Sequence, residues 1–233
     1  MKLAAMQPYF FPYLGYFQLM GAADRFVVSD SFQFIRHGWV NRNRVLVHHA
    51  PHLISVPLEH SSQQTAIRDR RLNRAYPRWS EKVLRTLDCA YRRAPYFDVT
   101  YDLVRQVLRG PHPSIGSLAR DSLLAVRGYL GIPCEIVPTS AIYPDRGQTP
   151  TQRVLDICAL ERADVYVNAI GGRALYDKAD FAAAGMELWF LQSERVPYRQ
   201  FGREFVPDLS IIDVLMFNSP EEVAGMLTRY ELV

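Results

Sequence analysis

The sequence predicts an α/β fold: a largely parallel sheet flanked by helices, with a helix-rich middle segment. Three observations predict it. Six short apolar runs rich in β-branched and aromatic residues are bounded by Pro, Gly and Asp. Segments with apolar residues at helical spacing separate most of them, and alternating strands and helices favour a parallel sheet. No linker, repeat or low-complexity stretch interrupts the 233 residues. One domain over residues 1–233 is therefore expected, with a helical insertion at about 76–131.

The first strand is expected at Lys2–Met6, "KLAAM", followed by a short helix in "LGYFQLMGAA" and a second strand in "RFVVSD" (Arg25–Asp30). "HLISVPL" (His52–Leu58) reads as a third strand. The polar stretch His60–Arg78 reads as an excursion between elements. "PRWSEKVLRTLDCAYRRA" places Trp79, Val83, Leu84, Leu87 and Tyr91 on one helical face. "SIGSLARDSLLAVRGYLGI" does the same with Leu118, Leu123, Leu124 and Val126, and Gly131 is its C-terminal stop. "CEIVPTS" (Cys134–Ser140) is a strand. Thr149 followed by Pro150 is a helix start, because threonine caps free N–H groups and proline needs none. "DVYVNA" (Asp164–Ala169) and "ELWFLQ" (Glu187–Gln192) are strands around the short helix "KADFAAAG". Ser219, Pro220 and Glu222 form a capping box that opens the last helix.

Composition bounds the function. With 48% hydrophobic and 22% charged residues and a net charge of +3, the chain is globular and only mildly basic. That falls short of the charge and motifs of a nucleic-acid binder, so no nucleic-acid partner is expected. Cys89, Cys134 and Cys158 are odd in number, widely spaced and set beside apolar residues. They read as small buried hydrophobes rather than a disulfide or zinc framework, and a cytoplasmic location follows as the expectation. The first residues lack an unbroken apolar core because Gln7, Pro8 and Pro12 interrupt them, so they belong to the fold and not to a signal peptide. No apolar run is long enough for a membrane span. Neither metal-ligand spacing nor a cofactor motif is present, and no metal or cofactor is expected.

Parallel sheets bind ligands at the carboxyl ends of their strands. Gln7 and Tyr9, after the first strand, and Asp30, after the second, fall on that edge, as does Asn168 after "DVYVN". "QFIRHGWVNRNRVL" then packs Gln33, Arg36, His37, Trp39, Asn41, Arg42 and Asn43 into fourteen residues. Each guanidinium carries five donors that need acceptors, and its fork fits a carboxylate or phosphate. Asparagine adds a donor and an acceptor on one group. His37, a histidine being the side chain that ordinarily changes charge near neutral pH, and Asp30 are the candidate catalytic bases. Gln7, Tyr9, Gln33, Arg36, Trp39, Asn41, Arg42, Asn43 and Asn168 are the candidate binding residues. Gly171 and Gly172 join them, since paired glycines at a helix start permit close approach of an anion. Arg36 and Arg42 could equally bridge to Asp24 or Asp30 as structural ion pairs. Ser210, with no nucleophile elbow around it, reads as a helix cap.

"QPYFFPYLGYFQL", "AADRFVVSD", "FIRHGWVNRNRVL", "YVNAIGGRALYD" and "LSIIDVLMFN", in this order, resemble the WbqC-like protein family from about Met6 to Asn218. The matching positions include Gln7, Pro8, Tyr9, Pro12, Trp39, Asn41, Arg42, Asn43, Gly171, Gly172, Ser210 and Asp213. The resemblance implies bacterial surface-glycan (O-antigen) or specialised-metabolite biosynthesis, and a transferase that attaches an aminoacyl group to an amino sugar. It brings no catalytic residues with it. The function expected is thus transfer of an acyl or aminoacyl group, held as a carrier-protein thioester, to a small-molecule amine or amino-sugar acceptor. An acyl or peptidyl carrier protein is then a partner. A nucleotide-dependent ligase or nucleotidyltransferase, or a non-catalytic binding protein of a glycan-assembly complex, are the alternatives. No phosphate-binding lysine motif supports the nucleotide reading, since Lys2, Lys82 and Lys178 all lie outside the motifs.

Overall fold

The computed structural model describes residues 1–202 and 204–233. Its centre is a six-stranded sheet in the order β5-β2-β1-β6-β7-β8. The strands are β1 (Lys2–Met6), β2 (Arg25–Val28), β5 (Glu135–Val137), β6 (Val165–Ala169), β7 (Glu187–Ser193) and β8 (Tyr230–Leu232). The first five run parallel, and β8 pairs antiparallel with β7. Eight α-helices accompany the sheet among the described residues. The protein is an α/β fold with a mostly parallel sheet.

Side chains alternate across each strand, so the sheet divides two apolar layers. Leu3, Ala5, Val27, Tyr166, Leu188 and Phe190 pack with Val154, Ile157 and Cys158 of α5 (Pro150–Leu160) and Phe181 of α6 (Lys178–Ala183). Ala4, Phe26, Val28, Val167 and Leu191 face the other way. They pack with α1 (Leu14–Gly21), α4 (Ile115–Leu130), α7 (Ile211–Phe217) and α8 (Pro220–Leu227). Each large apolar side chain fully buried in this way contributes about 1.5–3 kcal/mol, so strands of three to seven residues suffice.

The order of strands also explains which face each helix takes. From β1 through α1 to β2 the chain moves one way along the sheet. From β5 through α5 to β6, and from β6 through α6 to β7, it moves the other way. Right-handed crossovers in opposite directions need opposite faces. The reversal point lies between β1 and β6, where the ladder covers only Lys2–Val165 and Leu3–Tyr166. Beyond it the Tyr166 hydroxyl donates to the Ala5 carbonyl at 3.2 Å and bridges the gap.

One expected strand has a different partner. "HLISVPL" does not join the parallel sheet. β4 (Ala50–Ser55) pairs antiparallel with β3 (Arg42–Val47), and the two form a separate hairpin. The turn between them is His48-His49, with φ of 49° and 63°. Two left-handed residues are what a tight hairpin needs. Asn-Gly would have signalled it in sequence, whereas two histidines do not. β3 also holds Arg42 and Asn43 of the "NRN" cluster, whose polarity disguised it as a loop. The edge strand β8 was unexpected too, because three residues carry no readable period.

Helix ends match their sequence signals. Thr149 and Ser219 accept backbone N–H groups with Pro150 and Pro220 following, and Glu222 completes the capping box at Ser219. Gly131 ends α4 at φ 63°. The middle of the chain forms α2 (Tyr76–Tyr91), α3 (Phe97–Arg109) and α4, which pack in sequence. Ser210 caps α7 by accepting from Ile212 N–H.

Candidate functional site

The loop after β1, Gln7 to Tyr13, is held from all sides. Phe11 sits at φ 40°, a conformation that strains any residue with a Cβ. Its N–H donates to Ser122 Oγ at 3.1 Å, and its carbonyl accepts from Asn43 Nδ2 at 2.6 Å and Ser210 Oγ at 2.7 Å. Phe10 N–H donates to the Val40 carbonyl, Ile211 N–H to the Pro12 carbonyl, and Tyr16 hydroxyl to the Gln7 carbonyl. Phe10 and Phe11 are fully buried. These contacts outweigh the strain, typically about 1–3 kcal/mol. They leave Tyr9, Pro12 and Tyr13 facing outward as one wall.

The opposite wall is β3. Alternation buries Asn43 and turns Arg42 and Arg44 to the other side. Asn43 fastens the loop, since its amide also reaches the Phe10 carbonyl at 3.3 Å and its Oδ1 accepts Arg44 N–H. Both guanidinium groups lie 5.4 Å from the centre of the Trp39 ring, in cation–π range, and Trp39 remains 41% exposed. Arg42 donates to the carbonyls of His37 and Gly38, which closes the 36–39 turn. Arg44 donates to the Asp208 carbonyl at 3.2 Å, and its buried Nε has no partner among the described residues.

Tyr9, Pro12, Tyr13, Trp39, Asn43, Arg44 and Asp208 enclose a cleft of about 300 Å³. Asp208 stands on its rim at φ 56°, and its carboxylate accepts from Arg195 at 3.2 Å. A smaller cavity of about 130 Å³ shares Tyr13 and Asp208 and extends past Ser193, Glu194, Arg195 and Tyr198. Beneath it Asp213 is fully buried. The hydroxyls of Tyr91 and Tyr198 donate to Asp213 at 2.6 and 2.7 Å, and Gln200 Nε2 at 2.8 Å. Burial pushes the Asp213 carboxyl above the ordinary carboxylate range, against the pull of its three donors.

A second polar cluster occupies the same sheet edge at the ends of β2 and β5. Asp30 is buried, and its Oδ1 accepts from Thr139 hydroxyl at 2.7 Å and Ser140 N–H at 3.1 Å. Ser140 and Ser31 hydroxyls share a hydrogen bond, and Arg153 Nη2 donates to Ser31 Oγ at 2.8 Å. Arg153 is only 8% exposed and lies 5.0 Å from the centre of the Phe32 ring.

The structure brings Tyr9, Trp39 and Asn43 to the first cleft, with Arg42 behind Trp39. Asp30 lies with Ser140 instead. His37 is exposed, at φ 62°, and its carbonyl holds Arg42. Arg36 is exposed beside Arg70. Gln33 donates to the Gln63 carbonyl, and Asn41 to the Val56 carbonyl. Neither Arg36 nor Arg42 forms a salt bridge to Asp24 or Asp30 among the described residues. Asn168 donates to the Tyr166 hydroxyl at 3.1 Å, and a Cβ on Gly172 would lie 2.9 Å from Asn168 Oδ1. Gly172 thus permits that packing, while Gly171 is exposed in the same 3₁₀ turn, Ile170–Ala174. Gln7 is half-buried at the end of β1.

The WbqC-like protein family model matches residues 7–224, which include every element of both clusters. The chain belongs to the WbqC-like protein family. It is 28% identical over 232 residues to Uncharacterized protein Rv1507c of Mycobacterium tuberculosis (strain ATCC 25618 / H37Rv), with 98% of each chain covered. No solved structure matches the chain.

In this WbqC-like chain the residues of the two clusters that sequence reasoning missed are Tyr13, Arg44, Asp208 and Arg153. Arg44 was within reach, because strand alternation in "RNRV" puts it on the same face as Arg42. Asp208 and Arg153 are remote in sequence from the motifs they join. Cys134 and Cys158 are buried as expected, and burial pushes each thiol up to about 12, so they stay protonated at neutral pH. Cys89 differs: it is exposed on α2, because its position falls on the outward face of that helix. Among the described residues no helix is long and apolar enough to cross a membrane.

Proposed function

We propose that this WbqC-like protein transfers an acyl or aminoacyl group from an activated thioester to a small-molecule amine, such as an amino sugar. The cleft between the β1 loop and β3 is the seat proposed for the transfer. One observation carries the reading: a 300 Å³ cleft combines three aromatic side chains, a carboxylate at Asp208 and an arginine at Arg44 with an unpartnered Nε. Aromatic faces and a carboxylate suit an ammonium group. An arginine suits a carbonyl oxygen that gains negative charge. The volume is that of a small metabolite.

In this reading Asp208 holds the acceptor amine, with Tyr9, Tyr13 and Trp39 around it. The amine nitrogen attacks the thioester carbonyl, the C–N bond forms, and the C–S bond breaks. The thiolate leaves and takes a proton, and Arg44 balances the oxyanion between the two events. The amine must lose a proton, and His37, exposed on the turn that carries Trp39, is the base proposed for it. Asp30, engaged with Thr139 and Ser140, serves to position the neighbouring cluster. The thioester donor is a carrier protein, and the setting is surface-glycan or specialised-metabolite assembly, as the family resemblance suggests.

The test is amide formation by the full chain from a glycyl thioester of pantetheine and glucosamine, followed by mass spectrometry. Amide should accumulate with the wild type, and Asp208→Asn should slow it about tenfold or more, the effect of one lost charge-assisted contact. Equal rates for wild type, variant and buffer would discard the reading. Release of pyrophosphate from ATP and glycine would put a nucleotide-dependent ligase in its place.

A further inference from the structure

The second polar cluster has a cavity of its own. About 390 Å³ of space lies over Ser31, Arg68, Tyr143, Asp145 and Arg153. We infer that this cavity, at the carboxyl ends of β2 and β5, binds the phosphate group of a phosphorylated small molecule on Arg153 and Arg68. The inference does not depend on the acyl-transfer reading, and of the residues named there it shares Asp30 alone, in its supporting role.

Four observations carry it. First, Arg153 is a cation more than nine-tenths buried, and its Nε finds no acceptor among the described residues. Burying a guanidinium is expensive, and chains retain one where an anion completes its hydrogen bonds. Second, its orientation is built from below: Phe32 supports its plane, and Ser31 holds Nη2. Ser31 is in turn fixed by Ser140, and Ser140 by Asp30. This chain of hydrogen bonds positions the fork before any ligand arrives. Third, the anion already on Arg153 comes from an exposed loop. The Asp145 carboxylate pairs with Nη1 while its side chain is 58% exposed, beside Gly147 at φ 70°. A solvent-exposed carboxylate on a loop is a weakly held partner, and a phosphate with three oxygens replaces it readily. Fourth, Arg68 stands on the same rim, with 44% of its side chain exposed and only Asp69 as an ion-pair partner among the described residues. The site also lies on the sheet edge where parallel α/β folds receive ligands.

Titration calorimetry on the full chain tests this with inorganic phosphate, glucose 1-phosphate, a nucleoside diphosphate and acetate. Saturable binding of a phosphate compound is expected, with acetate much weaker. Tighter binding of an ester than of inorganic phosphate identifies a phosphorylated metabolite, and equal binding identifies free phosphate as sufficient. Arg68→Gln should weaken binding about tenfold or more, as loss of one charge-assisted hydrogen bond does. Asp145→Asn should tighten it, because the competing carboxylate is gone. Both side chains are exposed, so these variants keep the fold where an Arg153 substitution endangers it. No saturable binding by the wild type overturns the inference. So does binding that neither variant changes, or acetate binding as tight as phosphate.

Discussion

Asp213 is a carboxyl group in a place that water does not reach. It has no salt-bridge partner among the described residues, and three neutral donors do the whole work of solvation. One of them, Tyr91, also accepts Leu46 N–H at 2.6 Å and so ties β3 to α7. Burial raises the Asp213 pKa, so the folded state binds a proton that the unfolded chain at the same pH has lost. The consequence has a definite sign. Its favourable contribution is full below the ordinary carboxylate pKa, near 4, and is lost as pH rises through the raised folded value. An asparagine lacks this dependence. In urea unfolding, the wild type should therefore gain stability relative to Asp213→Asn as pH is lowered from neutral toward the ordinary carboxylate value. A stability difference that stays constant over that range would show that Asp213 does not titrate there. Asn43 plays the matching part on the other side of the hairpin, by holding the carbonyls of the strained Phe10-Phe11 bend.

At the scale of elements, close packing decides what each segment tolerates. The 3₁₀ turn Ile67–Asp69 lies across the start of α4, and a Cβ on Gly116 would stand 2.7 Å from Arg68 Cα. Backbone cannot yield as a flexible side chain does. Gly116→Ala should destabilise the fold by about 1–3 kcal/mol, the usual penalty of overpacking, measured by the urea midpoint. In an isolated helix the same change would help, because alanine is the better helix former. A stabilised variant would mean that the turn moves freely away from α4. Here the helix itself was readable from the spacing of Leu118, Leu123 and Val126. The role of its glycine was not, since it depends on a segment more than forty residues earlier.

For the whole molecule, the sheet must be closed at its edge. β8 pairs with β7 through Leu191–Leu232, Gln192–Glu231 and Ser193–Tyr230, and Phe190 exchanges both backbone bonds with Val233. Without it β7 would present unpaired N–H and C=O groups, which recruit other chains. Deletion of residues 230–233 should lower the midpoint of unfolding and promote concentration-dependent association, visible by light scattering. A truncated chain as stable and monodisperse as the full one would remove β8 from the list of elements that protect the sheet. The same edge logic explains the sites. Five parallel strands end on one side, and their loops must go somewhere. The loops after β1 and β7 frame one cleft, and those after β2 and β5 frame the other.

Periodicity and caps are local, and so the sequence by itself determined the parallel strands, the capped helices and the carboxyl edge as the place to look. It also singled out Tyr9, Trp39, Arg42 and Asn43, since polarity crowded among aromatics is visible without coordinates. Tertiary structure alone decided the rest. A histidine pair at positive φ turned an expected sheet strand into a hairpin. Asn43 became a fastener because two carbonyls of a distant loop lie above it, and Asp30 joined Ser140 rather than His37. Arg44 with Asp208, and Arg153 with Ser31, are separated by more than a hundred residues. Their meeting follows from strand order and crossover direction, which no local pattern encodes.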